Sequence, residues 1–243
     1  MNNKVALITG ASVGIGRAVA LEMAKKGAKL VLLDLNEQTL KSLESELKEY
    51  NTDTLCCICD VSNETQVNDC VKKAIEKFNK IDILVNNAGI WSVWEEFMDT
   101  SIDKWKKYID INVMGVVHCT RAVLPKMIEN GYGRIVNVAS VAGVYGNANM
   151  VVYSASKGAV ISMTKALSKE VVGKGIVVNS VSPGTVSPSG NPDIEHTQSH
   201  AACYAGRTGS DRENADLICF LSSEKNGYIV GQNIQIDGCR KVL

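Results

Sequence analysis

A chain of 243 residues, 45% hydrophobic and 21% charged, is long enough to enclose a substantial core and has the composition of a globular protein. Lys plus Arg and Asp plus Glu both total 26, so the formal net charge is zero. That balance speaks against a nucleic-acid or anionic-membrane partner and favours self-association.

The opening MNNKVALITG has an apolar run too short for a signal peptide. Nothing in the chain approaches the roughly 18 unbroken apolar residues of a membrane span. A cytoplasmic protein with reduced cysteines is therefore expected.

Taken in order, short β-branched runs alternate with longer helical patterns. The first run, KVALIT (4–9), leads into ITGASVGIG (8–16), whose Gly10, Gly14 and Gly16 allow a tight turn and close backbone approach. A helix follows, with Ile15, Val19 and Met23 on one face. A glycine loop between a strand and a helix is built to hold a pyrophosphate on free N–H groups. KLVLLD (29–34) is the second strand. Its terminal Asp34 stands where a carboxylate can bond adenosine ribose hydroxyls and repel a 2′-phosphate. The next helix repeats Leu40, Leu43 and Leu47.

TLCCIC (54–59) carries three of the eight cysteines and precedes Asp60. As a third parallel strand, Leu55 to Cys59 is expected to be buried on both faces. Neighbouring side chains on a strand point to opposite faces, so these thiols are expected to be core rather than a metal site. A helix with Val67, Val71, Ile75 and Phe78 follows, then DILVNN (82–87) as the fourth strand.

IWSVWEEF (90–97) holds two of the three tryptophans. Trp91 and Trp94 either pack against the sheet edge or a second subunit, or wall an apolar substrate pocket with Val141, Val144, Tyr145 and Met150. Helical patterns cover 104–129, where His118 is expected to pack or to meet a subunit. GRIVNVAS (133–140) is the fifth strand. Beyond it Tyr153 and Lys157 stand four apart on a helix and share a face. An adjacent ammonium is expected to lower the phenol pKa, suiting the pair to pass a proton near neutral pH. IVVNSVSP (176–183) and NIQID (233–237) complete about seven strands. Between them 185–206 is weakly periodic and rich in turn formers, as an active-site lid would be. Within it His196, His200 and Cys203 have a spacing compatible with zinc if helical, but the reading preferred is a polar lid with no metal.

The β-α-β-α order predicts one α/β unit over residues 1–243, a doubly wound parallel sheet with helices on both faces. The spacing T-G-x-x-x-G-x-G, with NNAG (86–89), YSASK (153–157), SPG (182–184) and YIVGQNIQIDG (228–238), resembles the short-chain dehydrogenase/reductase family essentially end to end. The resemblance implies a single-domain Rossmann fold and hydride transfer between a nicotinamide cofactor and a secondary alcohol or ketone. It further implies that Ser140 holds the substrate oxygen, Tyr153 is the general acid/base, Lys157 binds the nicotinamide ribose and Asn112 anchors a proton-relay water. Cofactor contacts carried over are Ser12, Val13 and Ile15 with the three glycines, then Asp34 and Leu35. Asp60 and Val61 hold the adenine. Asn86 and Ala88 lie on the adenosine side, Pro183 and Gly184 line the nicotinamide pocket, and Asn87, Gly89 and Val186 are further cofactor contacts.

Asp34, together with Val13 where NADP-using relatives carry a basic residue, points to NAD(H). Within the family an NAD(H)-dependent oxidoreductase of secondary alcohols and ketones is the favoured reading, with a bulky apolar substrate such as a hydroxysteroid if the tryptophans wall the pocket. A 3-oxoacyl-[acyl-carrier-protein] reductase is the alternative. A non-catalytic NAD-sensing regulator is a third, set against the retention of Ser140, Tyr153 and Lys157. The family's helices at 104–129 and 153–172 imply a homotetramer or dimer. Two departures stand out: TVSPSG in the lid, and Cys239 where relatives commonly have a second glycine.

Overall fold

Successive residues of the first strand face opposite cores, and this alternation layers the molecule. The computed structural model describes residues 1–189 and 197–241. Its elements run β1 (Val5–Thr9), α1 (Gly14–Lys25), β2 (Lys29–Asp34), α2 (Glu37–Leu47), β3 (Thr54–Ile58), α3 (Glu64–Phe78), β4 (Ile83–Asn86), α4 (Ile102–Ile109), α5 (Gly115–Glu129), β5 (Gly133–Val138), α6 (Ala142–Tyr145), α7 (Val151–Val171), β6 (Ile176–Pro183), β7 (Val186–Ser187), β8 (Gly209–Ser210), α8 (Asp211–Leu221) and β9 (Asn233–Ile236). Seven strands form one parallel sheet in the order β3-β2-β1-β4-β5-β6-β9, while β7 and β8 make a separate parallel pair.

On one face Ala6, Ile8, Leu30, Leu32 and Val136 pack against Val19 and Met23 of α1, Leu40 and Leu43 of α2, and Ile218 of α8. On the other, Val5, Leu7, Val31, Leu33 and Ile135 meet Val67 and Val71 of α3 and Val123 and Met127 of α5. Two buried faces require continuous apolar strands, which is how these read. Four of the helices, α2, α3, α4 and α8, start where short polar side chains satisfy their first amides. Asn36 accepts from Gln38 N and Thr39 N. Asn63 accepts from Gln66 N and Ser101 from Lys104 N, and Ser210 with Glu213 forms a capping box on α8.

The cysteine strand departs from expectation. β3 is an edge strand, so Ile58 is 55% exposed rather than buried on both faces. Cys57 and Cys59 do share the face that packs on Cys70 and Cys119, while Cys56 turns to the opposite core. All eight cysteines are free thiols. Among the described residues no group of three or more His, Cys, Asp or Glu side chains is arranged to hold a metal, and no helix is long and apolar enough to cross a membrane.

Helices α4 and α5 are joined by a π-helical turn over Asp110–Met114 that the sequence pattern did not indicate. Such turns insert a residue into the helical ladder and re-aim side chains, often at functional sites. Here it carries Asn112.

Candidate active site

The carboxyl ends of β1, β2, β3, β4, β5 and β6 lie along one edge of the parallel sheet, where doubly wound sheets bind ligands. The glycine loop, Asp34, Asp60, Asn87 to Gly89, Ser140, and Pro183 with Gly184 end or follow strands at this edge.

The glycine loop is held open from below. Asn87 Nδ2 donates to Thr9 O at 3.1 Å and to Gly10 O at 2.9 Å. The Thr9 hydroxyl accepts from Asn87 N and Ala88 N, each at 3.0 Å. Ser12 N donates to Asp34 Oδ2 at 2.9 Å. Gly10 sits at φ 58°, and a Cβ there would come 2.9 Å from Ala88 Cα. A Cβ on Gly16 would lie 2.1 Å from Gly10 O, so neither position admits a side chain.

A pyrophosphate fits this cradle. Whereas α2, α3, α4 and α8 are capped by Asn or Ser side chains, Val13 at the start of α1 supplies no side-chain acceptor for the first-turn amides. Those amides and the positive end of the helix dipole are left to an anion. Val13 and Leu35 are exposed beside the loop. Asp60 Oδ1 accepts from Ser62 N and Ser62 Oγ at 2.9 and 2.7 Å, so one carboxylate oxygen is engaged in the turn into α3. Val61 packs against Gly115, where a Cβ would meet Val61 Cγ2 at 2.7 Å, and its carbonyl lies 3.0 Å from His118 Nδ1.

On the other half of the edge, Tyr153 lies within hydrogen-bonding reach of Ser140, which itself accepts from Ala142 N at 3.1 Å. Lys157, one turn further along α7, is 4% exposed and donates to Val138 O at 2.8 Å. Burial pulls the Lys157 ammonium down to about 8. Burial also dominates at Tyr153 and raises the phenol, with the Ser140 bond acting the other way. The expected lowering by Lys157 is therefore corrected: desolvation raises the phenol, and the pull against it comes from the Ser140 hydrogen bond rather than from the ammonium.

Asn112 is fully buried. Its Nδ2 donates to Ile90 O at 2.9 Å and Ser156 Oγ at 3.0 Å, and its Oδ1 accepts from Ile90 N at 2.8 Å. Ser156 Oγ donates in turn to Tyr153 O at 2.7 Å. The π-turn thus binds the chain after β4 to the helix bearing Tyr153 and Lys157. Gly89 closes the group: a Cβ there would stand 3.1 Å from Asn112 Oδ1 and 3.3 Å from Lys157 Nζ. Pro183 pairs with Ile236 at the end of β6, and Gly184 crosses Asp237 so closely that a Cβ would lie 2.9 Å from its Cα.

Residues 4–199 match the family model described as short chain dehydrogenase. The chain belongs to that family. It is 37% identical over 241 residues to the 3-oxoacyl-[acyl-carrier-protein] reductase FabG of Thermotoga maritima, with 98% of each chain covered. It is 35% identical over 243 residues to the 2-dehydro-3-deoxy-L-rhamnonate dehydrogenase (NAD(+)) of a Sphingomonas species, covering 98% of this chain and 95% of that one. Among solved structures, NAD+-bound xylitol dehydrogenase superposes with a TM-score of 0.91 at 34% identity over 98% of both chains. This short-chain dehydrogenase is accordingly a nicotinamide-dinucleotide-dependent oxidoreductase of secondary alcohols and ketones.

Other sequence expectations for the dehydrogenase need redrawing. Asn86 turns its side chain into the core, where its Nδ2 donates to Asn137 Oδ1 at 2.8 Å and Thr120 Oγ1 at 3.2 Å, which leaves its backbone to face the cofactor edge. The Asn87 amide shapes the glycine loop. Thr9 and Ser156, which hold the loop and the Tyr153 helix, were missed; their only sequence signal was membership of TG and YSASK. Of the substrate-wall candidates, Met150 and Val141 are buried, and Tyr145 bonds Gln235 through its hydroxyl. Trp91 and Trp94 are 69% and 71% exposed. His196 lies outside the described residues, and the Cys203 thiol donates to Arg207 O at 3.1 Å.

Proposed function

We propose that this dehydrogenase uses NAD(H) and that Tyr153 transfers the proton. Ser140 holds the substrate oxygen and Lys157 faces the nicotinamide ribose. The observation that carries this reading is the grouping of Tyr153 with the Ser140 hydroxyl, one helical turn before a buried Lys157, at the sheet edge that holds the glycine cradle. Bound in that cradle, the nicotinamide would supply or accept the hydride. The burial-raised phenol rests protonated, the form that donates to the oxygen of a ketone being reduced. Among the described residues the Lys157 ammonium has one hydrogen-bond acceptor, the Val138 carbonyl, so ribose hydroxyls would complete its hydrogen bonding. Asn112 keeps the π-turn and α7 in register, and a water relay to Lys157 would start from this turn.

Asp34 supports NAD(H). Its carboxylate is fixed by Ser12 N and Asn36 N, and Leu35, Asn36, Glu37 and Gln38 beyond it include no cation. The nearby Lys41 is paired with Glu37 at 2.6 Å. The similarity to an NAD+-bound structure agrees with this. The exposed Trp91, Trp94 and Phe97 beyond β4 support a bulky apolar substrate such as a hydroxysteroid. A second reading, 3-oxoacyl-[acyl-carrier-protein] reductase, is supported by the likeness to FabG. Exposed Met114, Ile128, Val151 and Val172 around α5 and α7 support a homotetramer or dimer, and eight free cysteines support a cytoplasmic setting. The seven-stranded sheet, which takes strands from both ends of the chain, supports treating 1–243 as one catalytic unit; of the lid read at 185–206, residues 190–196 lie outside those described.

The test follows NADH and NADPH absorbance with steroid, acyl and small polar ketones. Turnover of bulky ketones with NADH is expected. Turnover of acyl thioesters alone would favour the second reading, and activity on polyols with none on bulky ketones would sink the apolar-substrate proposal.

A further inference from the structure

Residues 197–208 form a hairpin. Thr208 N donates to Gln198 O at 2.8 Å, Gln198 N to the Thr208 hydroxyl at 2.9 Å, and His200 N to Gly206 O at 2.9 Å. Ser199 and Arg207 face each other in an antiparallel bridge. The tip is paired with the end of the chain. Tyr204 N donates to Cys239 O at 2.9 Å, Ala205 N to Gly238 O at 3.0 Å, and Lys241 N to Ala202 O at 2.9 Å, with Cys203 opposite Arg240.

Gly238 and Cys239 both adopt left-handed φ values, 63° and 60°, which turn the chain out of β9 toward the hairpin. This accounts for glycine being the ordinary residue at 239: Cys239 bears a Cβ in a conformation that L side chains rarely adopt. The pairing on both sides of residue 240 fixes its backbone, so its guanidinium is presented with little further loss of chain freedom. Arg240 Nη2 donates to Asn147 Oδ1 at 3.2 Å. Asn147 is the hub of the turn entering α7: its N–H donates to Ser154 Oγ at 3.1 Å and its carbonyl accepts from Met150 N at 3.2 Å. Ser154 is the neighbour of Tyr153.

We propose that Arg240 is a positioning residue for the reaction, tying hairpin 197–208, through the C-terminal tail, to the turn that sets the start of α7 and the Tyr153 phenol. The proposal rests on the reading of Tyr153 as the proton-transferring group. Arg240 acts through Asn147 and needs no contact with the reacting atoms.

The full-length enzyme is tested with NADH and whichever ketone of the panel it reduces. Arg240→Met is expected to lower kcat for the ketone several-fold, at most about tenfold, as a phenol displaced by loss of one partly buried charged hydrogen bond should. NADH affinity stays within about twofold, and Arg240→Lys recovers most of the loss. In hydrogen exchange, amides 147–150 open faster in Arg240→Met, while Tyr204 and Ala205, bonded to tail carbonyls, keep their protection. Combining Arg240→Met with Asn147→Ala adds little to either alone. A kcat unmoved by Arg240→Met, or additive effects in the double variant, would overturn the proposal. The exchange measurement needs no turnover, so it stands apart from a failure of the Tyr153 reading, which Tyr153→Phe reports separately.

Discussion

The ammonium of Lys157 donates to the carbonyl of Val138 at 2.8 Å in a site so buried that desolvation alone pulls its pKa down to about 8. A lysine whose folded pKa lies below its free value of 10.5 binds protons less tightly in the native state than in the unfolded chain. Stability contributed by this residue therefore rises with pH between about 8 and 10.5 and is at its least favourable below 8. Lys157→Met is expected to raise the thermal midpoint of the cofactor-free protein at pH 7, by the equivalent of roughly 2–3 kcal/mol, and to remove turnover. The gain should shrink as pH approaches 10.5. Thermal melts of both proteins at several pH values check this; a variant less stable than wild type at pH 7 would contradict it.

Asp34 fastens the glycine loop through Ser12 N and presents a negative charge at the end of β2. Asp34→Ala should raise kcat/KM for NADPH relative to NADH by at least about tenfold, through loss of repulsion toward a 2′-phosphate. It should also weaken NADH binding, because the Ser12 and Asn36 amides lose their acceptor. Steady-state kinetics with both cofactors give the ratio, and an unchanged ratio would refute the role.

Asn112 makes three hydrogen bonds from a fully buried side chain. Asn112→Ala strands the Ile90 N–H and C=O and should cost about 2–4 kcal/mol, a fall of several degrees or more in midpoint. Calorimetry measures it. A loss of activity with no loss of stability would mean that the side chain does not hold the π-turn.

The thiols divide sharply. Cys239 is exposed, Cys56 is half-buried, and the remaining six are buried. Burial pushes Cys56, Cys119 and Cys219 up to about 12. A thiol reagent at pH 8 should label Cys239 rapidly and the others only on unfolding, because the thiolate is the reactive form. Fast labelling lost in Cys239→Ser confirms the assignment; a second fast thiol in that variant would contradict it.

The sheet was legible in the sequence because strands covered on both faces read as continuous apolar runs, and those runs gave the central strands nearly to the residue. The site was legible where chemistry and local geometry coincide: glycines before a helix, Asp34 at a strand end, Tyr153 and Lys157 one turn apart. What escaped depended on partners far along the chain. Ile58 is exposed because β3 lies at the sheet edge, which its own residues do not announce. The π-turn at Asp110–Met114 goes with the bonds of Asn112 to Ile90 and Ser156, and hairpin 197–208 is completed by a tail more than thirty residues away. Tyr153 was misjudged because spacing shows a nearby lysine but not how deeply both groups are buried.

Turnover of Tyr153→Phe with NADH and an accepted ketone, set beside an NADH fluorescence titration, tests the central claim most directly. With the phenol gone but the ring kept, turnover should fall by about 10²–10⁴-fold while NADH binds within a few-fold of wild type. Turnover within tenfold of wild type would show that another group carries the proton.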